Sequence, residues 1–180
     1  MGFGIAAFLI AYLSGTIVDI TEGNVEEIRR QFLVLIRDIS PVGIFINNTK
    51  LALSMFIPGF GIGWGLFSGF STGMTINAVG EVSPLLKNIE TFTFLKDSPP
   101  LMVLLTPFGI LEVTGYGIAL SRSGLIVYHL VTRKRWRKEY ALVTFIEIGV
   151  VIAIMLLGTI IEWQTIIRFG EGFRIAAYTN

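Results

Sequence analysis

An all-α transmembrane bundle of five or six spans, with an amphipathic helix at the membrane interface, is the fold this sequence predicts. Three observations predict it. The 180-residue chain is 53% hydrophobic and only 15% charged, with a mean hydropathy of +0.72, as in proteins solvated by lipid rather than water. Apolar stretches recur along it at about the 20 residues, each rising ~1.5 Å, that a helix needs to cross a hydrocarbon core of about 30 Å. One of them, Leu101 to Leu120, carries a single charge, Glu112. A carboxyl so placed is expensive to insert unless it is neutral, paired or facing a polar cavity.

The elements follow in order. Span one covers about 2–18 and is ended by Asp19. It lacks the basic start and small-residue cleavage pattern of a signal peptide, so it is expected to be retained. Val25, Ile28, Phe32, Leu35, Ile36 and Ile39 then recur at helical spacing, with Arg29, Arg30 and Arg37 on the polar side. This predicts an amphipathic helix over about 24–39, lying at the interface or docked on the bundle. Asn24 with Glu27 resembles a capping box and places its start. Span two, about 41–57, carries Asn47, Asn48 and Lys50, and Pro58-Gly59 turns the chain.

Span three, about 60–79, has no charge, and Gly61, Gly65, Gly69 and Gly73 fall at every fourth position, with Asn77 one step further. Such a ridge flattens one helix face for close approach by a neighbour, within the chain or across a homodimer. A polar loop to Pro100 precedes span four, about 101–120. Pro107 there removes a helix hydrogen bond, which predicts a kink and a freed Val103 carbonyl about one and a half turns before Glu112. Span five, about 141–161, holds Glu147 and is followed at once by Glu162. Those two acids are about 22 Å apart along a helix and cannot share a site. The segment 163–180 reads as a short sixth helix or an interfacial end.

The one dense charge run is Arg133, Lys134, Arg135, Arg137 and Lys138 around Trp136. By the positive-inside rule it makes 122–140 a cytoplasmic loop that can also touch anionic lipid headgroups. Counting back, the Pro58 turn and the N-terminus are inside, and the 81–100 loop and the amphipathic helix are outside. The whole of 1–180 is then one domain, a multi-pass protein of the cell membrane with the lipid bilayer as its first partner.

Several function classes drop out. With no cysteine there is no disulfide framework, thiol nucleophile or thiolate metal site. A lone His129 cannot build a His-rich metal site and is expected at headgroup level. The net charge of +1 gives no reason to expect nucleic acid. No Gly-x-Ser-x-Gly elbow, His-Glu-x-x-His or phosphate-binding loop is present, so neither catalysis nor a cofactor is expected.

The stretch Phe45-Ile46-Asn47-Asn48, followed by the glycine-rich span, resembles the stage II sporulation protein M family. Thr106-Pro107-Phe108-Gly109-Ile110-Leu111-Glu112 is similar to that family's Pro-His-Gly-x-x-Glu signature, and Gly158-Thr159-Ile160-Ile161-Glu162 to its small-apolar-Glu ending. The resemblance covers about Asp38 to Glu162. It implies a polytopic helical membrane protein that partners an envelope-remodelling machinery in sporulating cells and has an undefined role elsewhere. One departure matters: Phe108 stands where the family has histidine, so a mechanism needing His beside Glu112 loses its basis.

Asn47, Asn48, Asn77, Glu112 and Glu162 form the intramembrane polar set, with Pro107 beside it. Two readings stand. They line a path for a proton, cation or small solute, or a neutral Glu112 bonds an asparagine or the Val103 carbonyl and fixes helix register. Glu147 is expected to pair with the basic loop. At the level of function these become a membrane scaffold that recruits an envelope partner, or an ion or small-solute channel or transporter.

Overall fold

The computed structural model describes residues 2–19, 21–37, 39–80, 98–132 and 138–178, and among them all regular structure is helical. Seven helices are described: α1 (Gly2–Thr16), α2 (Glu22–Arg37), α3 (Pro41–Ser54), α4 (Phe60–Gly80), α5 (Pro99–Leu104), α6 (Pro107–Val131) and α7 (Lys138–Tyr178).

Two of these, α6 and α7, are long and apolar enough to cross a membrane. That is fewer than the expected five or six, for physical reasons that differ by helix. With 15 and 14 residues, α1 and α3 rise only about 22 Å, short of a hydrocarbon core of about 30 Å. The 21 residues of α4 suffice in length, but the glycines that flatten it also dilute its hydropathy. Span four is interrupted, its first part becoming the six-residue α5.

Close backbone approach organises the bundle. A methyl group added at Gly73 would overlap the Tyr12 carbonyl oxygen, and one at Gly15 the Phe70 carbonyl oxygen. At Gly69 it would stand 3.1 Å from the Phe8 carbonyl oxygen, while Gly61 abuts the Met55 carbonyl and Gly65 the Leu120 side chain. The ridge of α4 is therefore filled from within the chain, chiefly by α1, and a second copy would need another face. Gly4 and Gly117 bring α1 equally close to α6, where the Gly4 N–H donates to Ser121 Oγ at 3.0 Å. Phe8, Tyr12, Met55, Tyr116, Leu120 and Met155 lead the buried core between these helices.

The turns hold each helix in place. Ser40 Oγ accepts from the Gly43 N–H at 3.0 Å, capping α3 with Pro41 in the first turn, where a missing N–H costs nothing. Gly59, at φ +80°, makes the turn into α4 that a side chain would strain. That turn is fixed by Ser123 Oγ, which donates to the Ile57 carbonyl at 2.9 Å. One end of the bundle thus gathers the start of α1, the α3–α4 turn and the second half of α6. The Tyr12 hydroxyl, donating to the Pro100 carbonyl at 2.7 Å, ties α1 to α5 at the other end.

Several expectations are corrected. The amphipathic helix starts at Glu22, not Asn24. The Thr21 carbonyl accepts from the Asn24 and Val25 N–H groups at 2.9 and 3.1 Å, and the Glu27 carboxylate is taken by Arg30 and Gln31 rather than by a capping box. Residues 122–131 are not loop but the last turns of α6. Residues 163–178 are neither a separate helix nor an irregular end but the continuation of α7. Those 41 residues rise about 60 Å, twice the hydrocarbon thickness. Of the basic run, 133–137 lie outside the described residues, and Lys138 opens α7.

Candidate functional site

Pro107 ends one helix and starts the next rather than kinking a single one. Thr106 is extended, at φ −63° and ψ 152°, as a residue before proline prefers, and caps α6. Its Oγ1 accepts from the Gly109 N–H at 3.0 Å and donates to the Val103 carbonyl at 2.6 Å. The Val103 carbonyl also receives the Thr106 N–H at 3.1 Å, so the expected unpaired acceptor is satisfied locally. It is no partner for Glu112. The break instead orients α6 so that Glu112, in its second turn, faces α3 and α7.

Asn48 meets it there. Its Nδ2 donates to Glu112 Oε1 at 2.6 Å, and Asn47 Nδ2 donates in turn to Asn48 Oδ1 at 3.3 Å. Asn48 is 9% exposed, whereas Asn47 lies on the outer side of α3. The third helix packs alongside at Gly158, where a methyl would stand 3.9 Å from Glu112 Cγ, an ordinary contact. One turn on, Glu162 is within electrostatic reach of Glu112, and its Oε2 is buried with no hydrogen-bond partner. Tyr116, one turn past Glu112 and 6% exposed, stands within reach of both carboxyls and stacks on Phe8 with ring centroids 5.1 Å apart.

Asn47, Asn48, Glu112 and Glu162 therefore gather in one place. Asn77 is not among them, sitting near the end of α4, and Pro107 acts only through the geometry of the break. Among the described residues no group of three or more His or acidic side chains could hold a metal ion. Compared with family models, with curated proteins and with solved structures, the chain has no match in any of the three.

A second polar layer lies further along α6. Arg122 makes a two-pronged pair with Glu147 of α7, the side chains 10% and 24% exposed. Ten residues of helix, about 15 Å, separate it from Glu112. Glu147 thus finds its basic partner in Arg122, within the 122–140 stretch expected as loop but here on α6. His129 stacks on Tyr140, with centroids 4.7 Å apart, joining the end of α6 to the start of α7. Outside the apolar helices, Arg30 and then Gln31 hydrogen-bond the Glu27 carboxyl and hold it below the usual carboxylate range.

The contributions of Tyr116 and Arg122 were not singled out from sequence, and Thr106 entered only within a motif that carries the family resemblance. Thr106 had a signal, since Thr-Pro before an apolar run marks a helix start. Arg122 had a weaker one, as the basic residue nearest Glu147 once two helices are folded against each other.

Proposed function

We propose that the chain is a multi-pass integral protein of the cell membrane, five or six segments deep, that serves as a scaffold for an envelope partner. The observation that carries the membrane part is the face of α7. Only 17% of its apolar window is buried within the bundle, whereas the core helix of a water-soluble protein is mostly buried. Phe145 at 72% exposed, with Ile146, Leu157 and Ile160, needs a solvent, and lipid is the solvent that fits. The shorter α1 and α3 then cross with the help of their turns, packed against the longer helices.

The scaffold part is supported by the resemblance to the sporulation family over 38–162 and by how the polar side chains are engaged. Asn48 and Glu112 bond across helices, as do Arg122 and Glu147, which stiffens a frame that presents its ends to a partner. A second reading has its own observation. The Glu162 oxygen left without a partner beside Glu112 favours an ion path through that polar layer.

Liposomes holding wild type or E112Q test both readings, alongside crosslinking of the tagged protein in its own membranes. A scaffold keeps the same crosslinked partner in both proteins and passes no proton or cation current. Current in wild type that vanishes in a folded E112Q replaces the scaffold with a transporter.

A further inference from the structure

The layer around Glu112 holds more oxygen than its hydrogen bonds use. Two carboxyls stand together where, among the described residues, neither has a basic partner. Two adjacent carboxyls away from water do not both ionise without a compensating positive charge. A third group points to what supplies it. Thr159 is 3% exposed, and its hydroxyl has no hydrogen-bond partner. Helix threonines can donate back to the carbonyl four residues earlier, and Thr114, Thr144 and Thr165 of this chain do so. Thr159 on α7 and Thr49 on α3 do not.

Its place on α7 sets its neighbours. Thr159 and Glu162, three residues apart, are neighbours on the surface of α7, and Gly158, one turn before Glu162, sits where an added methyl would lie 3.9 Å from Glu112 Cγ. The described helices packed chiefly on α7 are α6 and α3. Thr159 therefore lies within one turn of Glu162, beside the layer that contains Asn48 and Glu112.

We propose that Glu112, Glu162 and the Thr159 hydroxyl, with Asn48 fixing Glu112, bind a small monovalent cation of the sodium or potassium class between α3, α6 and α7. The donors are hard oxygens, which suit a hard cation. Calcium or magnesium would bring two positive charges to a layer that one ionised carboxyl leaves with one negative charge. With one carboxyl protonated and one ionised, a single positive charge closes the layer electrically. The inference rests on the membrane reading and gives the ion-path alternative its substrate class, yet the site can hold a cation whether or not the ion moves on.

The test is thermal unfolding of the full-length protein in detergent at constant ionic strength. Sodium, lithium or potassium chloride is titrated against N-methyl-D-glucamine chloride. A cation that binds only the folded state raises the midpoint saturably. Wild type should show such a rise, and T159V and E162Q should need about tenfold more cation, a loss of ~1.4 kcal/mol, while T159S keeps the wild-type response. These variants are nearly isosteric; if either unfolds in detergent, T159S against T159A supplies the same comparison. Three results overturn the proposal: no rise beyond that in N-methyl-D-glucamine, a rise unchanged in both T159V and E162Q, or a midpoint that follows pH but no cation. Binding without liposome flux leaves the site standing and removes the ion path; flux without cation stabilisation does the reverse.

Discussion

Replacing Gly73 by alanine puts one methyl group onto the Tyr12 carbonyl oxygen, and that atom is backbone. A flexible side chain could swing aside, but here α1 and α4 must part. Overpacking of this kind costs about 1–3 kcal/mol, and an immovable neighbour places G73A at the upper end. Alanine returns up to ~1 kcal/mol of helix propensity over glycine, leaving a net loss of about 2 kcal/mol. At about 2–4 °C per kcal/mol for a chain of this size, the unfolding midpoint should fall by roughly 4–8 °C. Gly63 on the same helix is the control, because a methyl there meets nothing within 4 Å. G63A keeps the propensity gain alone, so its midpoint should rise by about 2–4 °C. G15A presses on the Phe70 carbonyl from the other side of the same contact and should cost as much as G73A, whereas the double variant should cost less than the sum because one separation relieves both. Circular dichroism melts in detergent read all four proteins. Midpoints for G73A and G63A that move together, in either direction, would refute the close α1–α4 packing.

The other predictions concern polar contacts. N48L strands the Glu112 oxygen that now accepts at 2.6 Å and should cost about 1–3 kcal/mol, much of it recovered in N48L/E112L; equal melts for the single and double variants would count against the bond. T106V removes the cap of α6 and its bond to Val103 and should lower the midpoint by the equivalent of about 1–2 kcal/mol, while T106S stays near wild type. R122M leaves Glu147 half-buried and unpaired, a loss of about 1–3 kcal/mol, yet R122M/E147L should come close to wild type because two apolar side chains replace a partly desolvated pair. For Glu27 the folded value is lowered by Arg30 and Gln31, so its contribution is present above the ordinary carboxylate range and is lost as pH falls through the lowered value. Carboxyl carbon shifts of Glu27 in micelles should therefore titrate below those of the R30A variant, and matching curves would dismiss the pair.

Much of the fold was legible because helix ends and glycine spacing act locally. Pro58-Gly59, Ser40-Pro41 and the fourfold glycine period each determine a turn, a cap or a face without reference to the rest of the chain. The break at Pro107 was legible only by half. Proline announced a lost hydrogen bond, but whether a helix kinks or stops depends on a cap, and Thr106 supplied one along with a donor for Val103. The length of α7 was hidden because hydropathy falls after Glu162 while helix propensity continues through Gln164, Arg168 and Glu171. The candidate site was legible as a list and not as a set of neighbours. Asn77 belongs to the same class as Asn48, yet which one meets Glu112 is decided by α1 occupying the glycine face of α4, and that is a property of the packed bundle.

The two polar layers of α6 pose the sharper question about function. In the layer of Arg122 both partners are charged, opposite and bidentate, so it is closed electrically and geometrically. In the layer of Glu112, Asn48 satisfies one oxygen, while Oε2 of Glu162 and the Thr159 hydroxyl remain without partners. Both layers join α6 to α7 and both bear the cost of desolvation. If fixing the register of these two helices were the only demand, the arginine pair already meets it, about 15 Å away on the same two helices. A second clamp built from two carboxyls is a poor clamp, since ionising either one leaves an uncompensated charge in the layer. The arrangement becomes favourable when a positive charge enters between them, and the layer is then stabilised by its ligand rather than by itself. A scaffold that needs an ion to close its bundle and a pathway that lets the ion leave again are built from the same residues. They differ in whether Glu162 can release what Glu112 helps to hold, which makes the exchange rate at that pair the quantity that separates them.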